Sequence, residues 1–166
     1  MYPQINISDT MRARAKSKFN KIRIDETKDK RRFASDAGRL LYGYLGEVVV
    51  MDYFDVQDID HYEYDIIINN FKVDVKSISC KFKPPMNYLA AVNSCEIDGD
   101  HRQDADIYIF VRIHEDCKVA WIVGFIECYR FFQMSKYLEK GDTYHGMNFE
   151  KANMNVLPIS KLNRIL

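Results

Sequence analysis

Glu47, Asp65, Asp74 and Lys76 are the residues whose types and order could do chemistry together. Three carboxylates offer hard oxygen ligands, the kind that suit Mg²⁺ or Mn²⁺. Without a cation such a cluster repels itself. With one, it can polarise a phosphoryl oxygen and acidify a bound water. A lysine held beside that ion can position or deprotonate the attacking water, or stabilise charge as it develops on phosphate.

The elements predicted around these residues decide whether they meet. Ser35 and Asp36 can cap a helix that runs to about Phe54. Leu40, Leu41, Tyr44, Leu45, Val48, Val49, Val50, Met51 and Phe54 make that helix apolar nearly all the way round, which marks it as buried. At about 100° per residue, Glu47 shares a face with Leu40, Gly43, Tyr44, Met51 and Phe54. A carboxylate there needs a cation, a hydrogen-bond network or a proton to offset its desolvation; an ordinary pairing with a neighbouring Tyr or Arg is the plain alternative.

Residues 63–68 read as a short strand, Asn69-Asn70 as a two-residue turn able to take positive φ, and residues 71–78 as a second strand with strict alternation. Phe71, Val73 and Val75 then point to one face, and Lys72, Asp74, Lys76 and Ile78 to the other. The hairpin sets Asp65 and Asp74 on adjacent strands about 5 Å apart, within reach of one ion if register and faces agree.

Further along, residues 88–92 form a weak strand pattern, and 107–113 and 119–126 two strong ones joined by a turn at 114–117. Residues 127–137 read as a helix, 141–155 as a polar loop, and 156–160 as a short edge strand, because Pro158 cannot donate to a ladder. Near the start, Ser8-Asp9-Thr10 caps a short amphipathic helix over 11–20, with Met11, Ala15 and Phe19 at helical spacing.

Length and composition bound the class. With 166 residues, 47% apolar and 29% charged, the chain suits one globular domain: a basic N-terminal helix and connector over 1–34, then the main body over 35–166. The formal net charge is zero, so global basicity argues for no partner. The charges are nevertheless segregated. Residues 1–39 carry a net +6, whereas 40–71 hold no Lys or Arg and a net −7. That division predicts polyanion attraction by the arm, through Arg12, Arg14, Lys16 and Lys18, and cation binding by the acid stretch; a solvated face is the plain reading of the arm. Cys80, Cys95, Cys117 and Cys128 form no CxxC pair and the four histidines are isolated, which argues against zinc and for reduced thiols. No apolar run approaches the roughly 18 residues of a membrane span, and the start lacks a signal-peptide pattern, so the expectation is a cytoplasmic protein with no membrane partner.

Helical Glu47, Asp65 on one strand and Asp74-Val75-Lys76 on the next resemble the PD-(D/E)XK nuclease superfamily, over roughly residues 35–126. Tyr64 stands where the family usually has proline, and Asp74 where glutamate is also common. The resemblance implies an α/β, restriction-endonuclease-like fold: a central mixed sheet of about four to five strands flanked by helices. It also implies Mg²⁺ or Mn²⁺ held by Asp65 and Asp74, with the Val75 carbonyl completing the shell and Lys76 as catalytic lysine. Glu47 would bind a second metal or orient a water. The implied activity is hydrolysis of DNA phosphodiesters, as an endonuclease or an exonuclease, with homodimerisation allowing both strands to be cut. Ser77, Ser79, His101 and Gln103 are candidate substrate contacts. The alternative is a catalytically silent nucleic-acid-binding or assembly module that retains the fold.

Overall fold

Two long apolar runs and one alternating run build the centre of the molecule. A computed structural model describes residues 2–24, 37–59, 64–93, 104–150 and 152–165. In chain order the elements are β1 (Gln4–Asn6), α1 (Asp9–Ile24), α2 (Ala37–Phe54), β2 (Ile66–Ile68), β3 (Phe71–Cys80), β4 (Leu89–Asn93), β5 (Ile107–His114) and β6 (Val119–Glu127). They continue with α3 (Cys128–Met134), β7 (Lys136–Leu138), β8 (Thr143–Tyr144), β9 (Met147–Asn148), β10 (Met154–Pro158) and a 3₁₀ turn (Ile159–Lys161).

The main sheet is mixed and five-stranded, in the order β1-β6-β5-β3-β2. β3 and β5 run parallel, with Asp74 opposite Tyr108, and the other pairs are antiparallel. On one face α1 and α2 bring Met11, Ala15, Leu45 and Val48 onto Val73, Val75, Ile109 and Val111. On the other, Tyr108, Phe110 and Val123 pack with Phe131 of α3 and with Ala90, Val92 and Leu157. Because both faces of β5 and β6 are covered, their sequences read as continuous apolar runs rather than alternating ones.

Two local features set the site. Asn69 and Asn70 both take positive φ, 51° and 68°, the conformation of the hairpin turn whose twist suits its flanking strands. This fixes Ile66 opposite Val73 and Ile68 opposite Phe71. In α2, a Cβ at Gly46 would collide with the Ser77 side chain, lying 2.8 Å from its Cβ, so glycine lets this helix sit unusually close to β3.

Several sequence expectations change. β10 is the central strand of a separate three-stranded sheet, β4-β10-β7, and not an edge; Pro158 is tolerated because it sits at the strand's last position, opposite Leu89. The helix after β6 stops at Met134, since Ser135 is extended and residues 136–138 pair with β10 instead. The loop over 141–155 contains the β8–β9 hairpin. β1, too short to show a pattern, pairs with β6. The first hairpin strand begins at Ile66, with residues 60–63 outside those described, and α1 extends to Ile24, beyond the predicted Asn20. Residues 35 and 36, the expected cap of α2, also lie outside them. Among the described residues no helix is long and apolar enough to cross a membrane.

Candidate active site

β2 begins only at Ile66, opposite Val73, so β3 beyond Val73 has an open edge, and Asp65 lies along it. The Asp65 N–H donates to the Val73 carbonyl at 2.9 Å, and its Oδ2 accepts the Val75 N–H at 2.7 Å. The side chain therefore continues the ladder that the strand has left. N–H and C=O of one strand residue leave on the same edge, which puts the Val75 carbonyl there too.

Asp74 and Lys76 follow the period of two. Asp74 is buried at 3% exposure, and Lys76 Nζ lies 2.8 Å from its Oδ2 and 5.5 Å from the centre of the Tyr108 ring. The ammonium is close enough for an ion pair but off the line of a hydrogen bond, so that buried oxygen has no hydrogen-bond donor. Lys72, the next cation on the same strand, turns away to Asp104, and its N–H is taken by Asp106 at 2.9 Å.

Glu47 enters from α2, on the Val73 and Val75 side of the sheet. It is buried at 7% exposure, and Lys18 of α1 holds it, with Nζ 2.8 Å from Oε2. The same ammonium is 2.7 Å from Asp58 Oδ1 and 5.9 Å from the centre of the Tyr44 ring. Burial alone would lower the Lys18 pKa, but the charges and hydrogen bonds of Glu47 and Asp58 outweigh it and raise it.

The acids sense one another at Asp65. Part of that residue reaches solvent, yet burial of its carboxyl, then the charges of Glu47 and Asp74, raise its pKa well above the usual carboxylate range; the Val75 N–H and Lys76 pull the other way without prevailing. Among the described residues no three His, Cys, Asp or Glu side chains converge closely enough to cage a metal ion. The expected three-carboxylate convergence is met only in part, because Glu47 faces Lys18 and Asp65 faces a backbone N–H.

The other candidates are placed as follows. Ser77 points into the contact with Gly46, where its Oγ is buried without a hydrogen bond, and Ser79 is exposed. Arg12 donates to the Ile7 and Cys117 carbonyls, at 2.9 and 3.1 Å, and pairs with Asp9. Arg14 pairs with Asp52, while Lys16 is exposed. His101 and Gln103 lie outside the described residues. Lys18 is the residue whose part was missed, although its signal was present: it lies three and seven positions after Ala15 and Met11, on the buried face of α1. Comparison with protein-family models and with curated proteins gives no match, so the functional reading rests on these residues.

Proposed function

We propose that the chain is a divalent-metal-dependent nuclease acting on DNA, on a restriction-endonuclease-like version of the α/β fold. One observation carries this reading: a buried Asp74 oxygen without a hydrogen-bond donor in line, near an Asp65 carboxyl that burial first, and then the charges of Glu47 and Asp74, drive toward its protonated form. The first is a buried acceptor with no donor in line, and the second a carboxylate that its surroundings disfavour; a cation between them would answer both. The donors fit Mg²⁺ or Mn²⁺, since Mg²⁺ is commonly held by one or two carboxylates with water and substrate phosphate filling the shell, and needs no closed protein cage. Asp65 and Asp74 would hold it, with the Val75 carbonyl on the same open edge. When bound, the ion polarises a phosphoryl oxygen and lowers the pKa of a coordinated water.

The chain's own groups do the rest. Lys76, anchored between Asp74 and the Tyr108 ring, offers N–H donors to the attacking water and to phosphate oxygens as charge builds on them. Asp65 and Asp74 fix the direction of attack relative to β3, and the Val75 N–H fixes Asp65. A second copy of the chain would give two such sites, one for each strand of a duplex.

A specific observation favours the catalytically silent alternative: Glu47 and Asp74 each already have a lysine beside them. One experiment separates the two. Purified chain is incubated with plasmid, linear duplex and single-stranded DNA in Mg²⁺, Mn²⁺ or EDTA. Cleavage in either metal and none in EDTA is the expected result; intact DNA in all three overturns the nuclease reading.

A further inference from the structure

A cleft of about 390 Å³ opens over Val123 of β6, two strands away from β3. Its walls come from stretches far apart in sequence: Tyr2, residues 83–86 and residues 159–164. Backbone bonds tie them together. The Ser160 N–H donates to the Met86 carbonyl at 2.9 Å, the Ile159 N–H to the Tyr88 carbonyl at 2.8 Å, and the Phe125 N–H to the Asn163 carbonyl at 3.0 Å. The Tyr2 hydroxyl donates to the Pro84 carbonyl. Gly124 lets the last segment press onto β6, since a Cβ there would lie 2.7 Å from the Asn163 carbonyl oxygen. The cleft is therefore preformed, as sites for small ligands usually are.

Most of its surface is apolar, from Pro84, Pro85, Met86, Val123, Ile159 and Leu162, while Lys83, Arg164 and Ser160 supply polar groups and no carboxylate lines it. Lys83 Nζ lies 5.6 Å from the centre of the Tyr2 ring, which keeps the ammonium at the cleft. Arg14, Lys18, Lys72 and Lys76 each have a carboxylate beside them, whereas among the described residues no acid pairs with Lys83 or Arg164. Two cations without a counter-ion beside an apolar wall are complementary to a molecule of the opposite design, an apolar body that ends in an anion. The proline rings and Tyr2 present flat faces, which suit a flat body. We infer that this cleft binds a small aromatic anion, its ring against Pro84, Pro85 and Met86 and its carboxylate or phosphate held by Lys83 and Arg164. The inference does not rest on the nuclease reading.

Four probes with one naphthalene body test it: 1-naphthoate, 1-naphthyl phosphate, 1-naphthol and 1-naphthylmethylamine. Each is titrated into the full chain by calorimetry at pH 7, in EDTA so that no ion at Asp65 and Asp74 draws the phosphate. The two anions should bind at least about tenfold more tightly than naphthol, the gain of one charge-assisted hydrogen bond, and the amine most weakly. The tighter of the two anions gives the head group. Lys83 and Arg164 are both exposed, so Lys83→Gln/Arg164→Gln should melt with wild type, bind naphthol unchanged and hold the anions no more tightly than naphthol. Naphthol as tight as the anions in wild type would overturn the inference, as would no binding of any probe, or anions that keep their advantage in the double variant. Displacement of naphthyl phosphate by single-stranded DNA at equal phosphate concentration would overturn it in favour of a nucleic-acid contact.

Discussion

At the scale of single residues, Asp65 has an energetic signature that can be read without substrate. Its folded-state pKa is raised, so the folded protein binds that proton more tightly than the unfolded chain does. The resulting destabilisation is absent below about pH 4, the ordinary value for an unfolded aspartate, and grows as pH rises from there through the folded pKa. Asp65→Asn keeps an oxygen to accept the Val75 N–H and removes the charge. In EDTA at pH 7 it should melt about 2–4 °C above wild type, the shift that roughly 1 kcal/mol gives a chain of this size. The gain should vanish near pH 3. An unchanged or lowered melting temperature at pH 7 would mean that the carboxylates do not burden one another. Asp65, Asp74 and Lys76 were legible in the sequence because a two-residue turn dictates which strand positions oppose. The pairing of Glu47 with Lys18 was not, because it depends on how two helices dock, and neither helix contains that information alone.

At the scale of elements, the contact between α2 and β3 decides where Glu47 sits. Replacing Gly46 by alanine gains about 1 kcal/mol of helix propensity. Against that, the new Cβ collides with Ser77, and overpacking of this kind costs about 1–3 kcal/mol. The collision should win, because β3 is tied to β5 from Val73 to Cys80, Ser77 included, and has little room to retreat. Gly46→Ala is therefore expected to lower the urea midpoint, and Ser77→Gly in the same chain to recover much of the loss. A single variant as stable as wild type would show that α2 does not depend on this approach. The close contact was not readable from residue types, since Gly46 looks like any helical glycine until Ser77 is placed against it. Long apolar runs identified α2, β5 and β6, and alternation identified β3. Neither signal reached β1, β7, β8 and β9, which are two or three residues long and exist because a neighbouring strand is there to pair with.

At the scale of the whole molecule, the two opposed charge blocks find each other. Arg14 with Asp52, and Lys18 with Glu47 and Asp58, join the basic N-terminal block to the acidic one that follows. The segregation seen along the chain is thus partly an internal match between α1 and the α2 region. At the open edge of β3 Asp65 and Asp74 stand against Lys76, and that is where the proposed chemistry is concentrated. The rate of Mg²⁺-dependent cleavage of a labelled duplex by wild type and Lys76→Ala, compared side by side, tests that assignment most directly. The account predicts cleavage by wild type that EDTA abolishes, and a fall of at least about a hundredfold in Lys76→Ala with an unchanged circular dichroism spectrum. A variant that cuts within a few-fold of wild type would contradict it, and would place the reacting centre away from Asp65, Asp74 and Lys76.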